Sequence, residues 1–277
     1  SLSMVDLTLF HHYMTETWHT ISGAGIGDQP MWRDYMPKLA LKHPFLMHAL
    51  MAFSAAHRIT IKSDESQSAE TGKAMNFHRL QATIMLKELV EARHDDIKAR
   101  VDLVDAIVGS TLLLIFESLA NTANHGPSQT WINQVRGSAT ILSAVWPLMP
   151  ECRFYQLIGA DIRELSSPES QLALITKLMS NGGNIPVFDP SIADLYPVNP
   201  MSVYFPTLIY LDKLMSQQHY SDFILRLFSF PALMDKKMGE LLCASDSTAK
   251  RILAAYGKFI IKYTVTMKDK VWFLEGL

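Results

Sequence analysis

Residues 43–58 read HPFLMHALMAFSAAHR and carry the pattern of a helix buried among other helices. Pro44 suits the first position of a helix, where the missing amide hydrogen is not needed. The large and small apolar residues recur at intervals of four, four and three along Phe45, Ala49, Phe53 and Ala56, which is helical spacing. The many alanines leave room for a close neighbour. This stretch predicts a helix that packs tightly inside a helical protein.

The histidines of this stretch do not form a joint site. His48 and His57 are nine residues apart, and at about 100° per residue they point to opposite sides of a helix. They therefore cannot share a ligand or a proton within one helix. His43 precedes Pro44, where a role at the helix start is the simpler interpretation.

Helical periodicity continues through most of the chain, and no sustained alternation predicts a strand. The pattern favours an all-α fold, a single bundle-like domain over residues 1–277. Five prolines between residues 186 and 206 predict an extended crossing over about 184–206. The predicted helices cover residues 6–20, 44–58, 72–92, 101–120, 131–146, 168–180, 204–219, 220–242 with a break at Pro231, and 247–276.

The composition argues against several classes of protein. The 25 basic and 27 acidic residues give a net charge of −2, and without a basic block the chain is not expected to contact nucleic acid directly. Cys152 and Cys243 belong to no metal or redox motif, so a reducing, intracellular location is expected. The most apolar run, residues 106–116, is too short to span a membrane, and no signal peptide is visible at the start.

Motifs for catalysis or metal binding are weak. The GAGIG run at residues 23–27 follows a helix and ends near Pro30, so we interpret it as a plain loop rather than a nucleotide site. His12, Glu16 and His19 are spaced to lie on one helical face, but a surface helix often carries such residues. We predict no metal and no cofactor.

Four segments taken together resemble one family. In chain order they are DLTLFHHYMTETWHTIS (6–22), MWRDYMPKLALKHPFLMHALMAFSAAHR (31–58), WINQVRGSATILSAVWP (131–147) and KDKVWFLEGL (268–277). They resemble the regulatory domain of fungal zinc-cluster transcription factors of the sterol uptake control protein type. The resemblance implies an all-helical domain, often a homodimer, that holds a sterol in an apolar pocket. It also implies a presence in both cytoplasm and nucleus, with ligand controlling nuclear entry and transcriptional activation.

Two features depart from that family. Its six-cysteine zinc cluster with a basic tail is absent from these 277 residues, and its closing motif tends to have Trp after the glycine, where this chain has Leu277 after Gly276. One interpretation is a regulatory domain separated from its DNA-binding module. The other is a stand-alone relative that has become a biosynthetic enzyme.

Three hypotheses for function follow. The first is a ligand-sensing regulatory domain that binds a sterol or similar hydrophobic molecule. The second is a cofactor-independent cyclase or pericyclase that orients an apolar natural-product intermediate, which needs no nucleophile motif. The third is a dimerisation scaffold with a filled core.

The 15 methionines, with the aromatic residues, supply pliable apolar walls suited to a bulky ligand. Large apolar side chains on helices that we expect to converge are the candidate ligand-binding residues: Met51, Met85, Phe116, Trp146, Phe205, Tyr210, Tyr256, Phe259 and Trp272. Polar candidates for anchoring a hydroxyl, or for catalysis if the chain is an enzyme, are His12, His48, His78 and Glu117.

Overall fold

The computed structural model confirms the all-α prediction: the residues that it describes form helices and no strand. The chain divides into two compact units, Ser1–Gly159 with Thr266–Leu277, and Ala160–Val265. That residues 1–277 form a single domain stays a prediction. The described residues are 3–61, 65–92, 97–120, 136–138, 140–142, 144–145, 148–155, 157, 176, 180, 185–218, 223, 226–227, 230, 234–265 and 271–274.

The first unit opens with a helix that is interrupted by a wider turn. Helix α1 (Met4–His12) starts at a capping box, in which the Ser3 hydroxyl accepts from the Asp6 amide and the Asp6 carboxylate accepts from the Ser3 amide. It passes through a π turn (Tyr13–Thr17) into α2 (Trp18–Gly23). Such turns insert an extra residue and rotate every later side chain.

The loop predicted after the first helix contains a tight turn. Gly25 and Gly27 have φ of 78° and 68°, which glycine adopts at little cost. Ile26 between them is fully buried, and its carbonyl accepts a hydrogen bond of 2.6 Å from the Trp32 indole. The glycines therefore shape a turn that seats Trp32.

Three long helices form the core of the first unit. A second π turn (Met31–Tyr35) and α3 (Met36–Ala40) lead into α4 (Pro44–Ile61), which packs against α5 (Glu65–Ala92) and α6 (Val101–Ala120). Pro44 begins α4, as predicted. Helix α5 starts before the predicted Gly72. The prediction missed its first turns because the polar residues 65–71 carry no apolar period that could indicate a helix.

Helix α6 is buried on nearly all sides. Its length and apolar composition would allow it to cross a membrane, and it is the one such helix in the described part of the chain. Within the structure, however, 89% of its most apolar 18-residue window is buried. Helix α6 is therefore a buried core helix in this structure.

The second unit corrects the prediction of an extended proline-rich crossing. Residues 184–206 include a 3-10 helix (Pro190–Leu195), capped by the Asp189 side chain, and a cis peptide bond between Tyr196 and Pro197. Proline fixes φ at a value that a 3-10 turn also uses, so proline density excluded a long α-helix but not a short turn.

The remaining helices of the second unit are α7 (Phe205–Ser216), α8 (Lys236–Cys243) and α9 (Ser247–Thr264). Asp246 caps α9, with its carboxylate 2.8 Å from the Ala249 amide nitrogen. The prediction that this helix reaches residue 276 was wrong, because it ends at Thr264. The predicted helix over 168–180, and most of those over 131–146 and 220–242, lie outside the described residues.

Candidate ligand-binding site

An aromatic cluster in the first unit joins α4, α6 and the C-terminal segment, where Trp272–Leu274 form a 3-10 turn. The Phe53 ring lies 6.1 Å from Phe116 and 5.0 Å from Trp272, and the Phe116 ring stacks on Phe273 at 5.0 Å. These are the distances of favourable ring pairs. The structure thus brings together two predicted residues, Phe116 and Trp272. It adds Phe53 and Phe273, which the prediction missed although Phe53 lies on the apolar face of residues 43–58.

Polar groups lie beside this cluster. The His57 ring lies 4.7 Å from Trp272, and its Nδ1 is 3.0 Å from the Thr17 hydroxyl. The Trp272 indole donates a 3.0 Å hydrogen bond to the Thr20 hydroxyl. Burial, with His12 and His19 nearby, lowers the pKa of His57 to about 4, so this imidazole is neutral at neutral pH.

His12 belongs to the same group, since its buried ring lies 5.1 Å from that of His57. The interpretation that His12, Glu16 and His19 share one face was wrong. His12 is buried whereas Glu16 and His19 are exposed, because the π turn between them shifts the helical phase. In the part of the chain that the structure describes, no group of three or more His, Cys, Asp or Glu residues could hold a metal ion.

A second polar group connects α1, α4 and α5. The Nδ1 atoms of His48 and His78 are 2.8 Å apart, and the Nε2 of His78 is 3.2 Å from an oxygen of Asp6. Burial lowers the pKa of both histidines. His48 and His57 therefore contact different partners, as their phase along α4 predicts.

Glu117, the remaining polar candidate, forms an ion pair. It is fully buried on α6, and its Oε1 lies 3.4 Å from the Arg79 guanidinium of α5. Arg79 also donates to the Asn76 side chain at 2.7 Å. An arginine that holds a buried carboxylate between two helices serves packing, and this geometry indicates a structural role for Glu117.

Predicted residues of the second unit form an aromatic group of their own. Phe230 lies between Tyr210 and Tyr256, with ring centres 5.6 Å and 4.2 Å away. The Tyr256 hydroxyl donates to the Leu227 carbonyl at 2.6 Å, and burial raises the Tyr256 pKa well above its ordinary value. Phe259 contacts other rings, those of Phe188 at 5.2 Å and Phe223 at 6.3 Å.

The other candidates have less defined settings. Met51 is buried on α4, Phe205 is buried at the start of α7, and Met85 is half-buried on α5. Trp146 lies outside the described residues. That these side chains and the two aromatic groups bind one ligand stays a prediction.

The described interior contains large aromatic side chains with a few hydrogen-bonding groups beside them. Aromatic rings can pack on a flat apolar molecule, and neutral His57 or a threonine hydroxyl can pair with a polar group at one of its ends. This is the usual composition of a site for a hydrophobic small molecule.

Comparison with known proteins places the chain in a family. Residues 8–176 match the family described as the fungal specific transcription factor domain. Over its whole length the chain is 42% identical to sterol uptake control protein 2 of Saccharomyces cerevisiae and 41% identical to sterol uptake control protein 2 of Candida albicans. It spans only 30% and 39% of the length of these two relatives.

Proposed function

This chain belongs to the family of fungal specific transcription factor domains, and from that premise we propose that it is the ligand-sensing part of a transcription regulator. The ligand is a sterol or a similar hydrophobic small molecule, held among the helices. Binding controls transcriptional activation. The two relatives are named for control of sterol uptake, which supports this ligand class.

The observation that carries the proposal is the aromatic cluster with polar groups at its side. Phe53 and Phe116 supply large buried aromatic rings, and His57 and Thr20 carry hydrogen-bonding groups next to the Trp272 ring. A sterol has the matching chemistry, a rigid apolar body with one hydroxyl.

The mechanism is a population shift. A ligand that binds one arrangement of the helices more tightly than another changes the fraction of molecules in each arrangement. If a partner protein recognises only one of them, ligand binding and partner binding are coupled. On this proposal the regulator is in the nucleus in one of these two arrangements and in the cytoplasm in the other. The domain acts as a homodimer.

A reporter in yeast cells tests the proposal. The chain is fused between a heterologous DNA-binding domain and an activation domain, and reporter output is measured with and without an inhibitor of sterol synthesis. We expect a several-fold change on sterol depletion, which a fusion lacking the chain does not show. An unchanged output at equal fusion-protein levels would contradict ligand sensing.

A further inference from the structure

Asp6 of α1, His48 of α4 and His78 of α5 form one hydrogen-bonded array in the first unit. The Nε2 of His78 is 3.2 Å from the Oδ1 of Asp6, and the Nδ1 atoms of the two histidines are 2.8 Å apart. His78 is only 2% exposed, whereas His48 is half-buried. Asp6 also accepts from the Ser3 amide in the capping box of α1. The array therefore joins the first turn of α1 to both α4 and α5.

The chemistry of the three groups determines which nitrogen atoms carry hydrogen. An ionised carboxylate only accepts hydrogen bonds, so His78 donates to Asp6 from its Nε2. A neutral imidazole has one N–H group, so the Nδ1 of His78 is an acceptor and the Nδ1 of His48 is the donor that faces it. A proton added to the Nδ1 of His78 would set two N–H groups against each other at 2.8 Å. The array thus excludes a proton from His78.

Burial also opposes a positive charge on these rings. It outweighs the attraction of Asp6, so the pKa of both His48 and His78 is lowered. Burial raises the pKa of Asp6 itself, but hydrogen bonds from Ser3 and the contact with His78 more than offset this, and the net shift is downward. Helix α6 also packs on α4 and α5, but its three carboxylates have other partners, namely His43 for Asp102, Tyr35 for Asp105 and Arg79 for Glu117.

We propose that this array is a proton-sensitive contact, which holds α1 on α4 and α5 while both imidazoles are neutral and releases α1 when they take up protons. In the released form the two rings are hydrated and titrate near the ordinary histidine pKa of about 6.5. Below that pH the released form binds protons that the closed form excludes, so release becomes more favourable as the pH falls. Asp6 stays ionised in both forms above about pH 5, so the histidines determine the response.

Helix α1 is the element that can move. Only Leu9 and His12 of its nine residues are buried, and an element that buries few side chains opens at a lower free energy than the core. The Leu9 carbonyl accepts a 2.7 Å hydrogen bond from the Ser54 hydroxyl of α4, which release would break. The π turn after α1 begins at Tyr13, which is fully buried. The opening should therefore be confined to α1.

The size of the effect depends on how many protons the closed form excludes. For a released pKa of about 6.5, the ratio of released to closed molecules rises about 25-fold between pH 7 and pH 5 for each histidine that stays neutral in the closed form. Two histidines give an upper limit of about 600-fold. We expect a rise of at least about tenfold, because the geometry excludes a proton from His78 in any case.

Amide hydrogen exchange along α1, corrected for the intrinsic effect of pH on exchange, measures this ratio at pH 7 and pH 5. His57→Phe serves as the background, since His57 also titrates and its ring contacts that of His12 on α1. Adding His48→Asn and His78→Gln gives an array-free variant, which keeps side-chain amides at both positions but cannot be protonated there. We expect the ratio to rise at least about tenfold more in the background protein than in the array-free variant.

His11→Gln is the matched control. This exposed histidine lies on the same helix outside the array, so the variant should keep the full response. An equal pH dependence of α1 exchange in the background protein and the array-free variant would overturn the proposal.

The tautomers of the unmodified chain provide a second measurement, which decides if the array-free variant also loses protection in α6 and is therefore unfolded. Heteronuclear NMR of the imidazole nitrogens at neutral pH should show hydrogen on the Nδ1 of His48 and on the Nε2 of His78. Hydrogen on the Nε2 of His48 instead would overturn the proposal. Both experiments are done without a ligand, so their failure would leave the proposed ligand sensing untouched.

Discussion

His57 is a single residue whose surroundings link stability to pH. Its folded-state pKa is about 4, against about 6.5 for an unperturbed histidine. Below pH 6.5 the unfolded chain takes up a proton that the folded chain does not accept until about pH 4. His57 therefore leaves the stability of the fold unchanged above about pH 6.5 and lowers it as the pH falls from about 6.5 towards 4.

Because of His57, we expect the free energy of unfolding to be about 2 kcal/mol lower at pH 5 than at pH 7. Urea denaturation at both pH values measures this loss. His57→Phe keeps a ring beside Trp272 but cannot be protonated, so it should lose about 2 kcal/mol less than the original chain over the same interval. Equal pH dependence in the two proteins would show that His57 is not held neutral.

Gly27 is a residue whose backbone excludes a side chain. Its φ of 68° disfavours other residues, and an added Cβ would lie 2.9 Å from both the Trp32 Nε1 and the Met31 sulfur. We expect Gly27→Ala to lower the unfolding free energy by about 1 to 3 kcal/mol.

Gly23 provides the matched control for this change. It ends α2, and an added Cβ there meets nothing within 4 Å. Gly23→Ala should be neutral or stabilising by up to about 1 kcal/mol, because alanine favours a helix. Thermal denaturation of both variants gives the comparison, and an equal loss at Gly23 would contradict the assignment of a special turn at Gly27.

At the scale of elements, the C-terminal 3-10 turn is part of the core of the first unit. Trp272 contacts Phe53 and His57 of α4, and Phe273 stacks on Phe116 of α6. Trp272→Ala should therefore lower the unfolding free energy by about 3 to 5 kcal/mol, as for other large buried aromatic residues.

Trp272→Phe separates packing from hydrogen bonding. It keeps a ring on α4 but removes the donor to Thr20, and should cost only about 1 to 2 kcal/mol. Urea denaturation of both variants is the measurement. If Trp272→Ala changed stability by less than about 1 kcal/mol, the turn would not be part of the core.

Elements with a strong apolar period were predictable from the sequence. The start of α4 at Pro44 and the bounds of α6 follow from local pattern, and the Asp246 cap follows from residue type. The π turn at Tyr13–Thr17 was not predictable, since nothing in a 3.6-residue period marks an inserted residue. The end of α9 at Thr264 was also missed, because apolar residues continue after it in the sequence. The apolar residues 272–274 belong to a separate 3-10 turn.

At the scale of the whole molecule, the candidate site was predictable only in part. Phe116 with Trp272 and Tyr210 with Tyr256 lie in shared aromatic groups, and whether these candidates bind a ligand stays a prediction. Which helices bring their rings together depends on long-range packing, which a local period does not encode. Phe53, Phe230 and Phe273 were therefore missed, and the pairing of His48 with His78 was not foreseen.

The proposed function requires that this interior binds a hydrophobic small molecule. Native mass spectrometry of the purified chain, incubated with a sterol at micromolar concentration, tests it most directly. We expect a complex with a mass increase of a single sterol per chain, and we expect Trp272→Ala to weaken it under conditions where that variant remains folded. A folded chain that retains no sterol at these concentrations would contradict it.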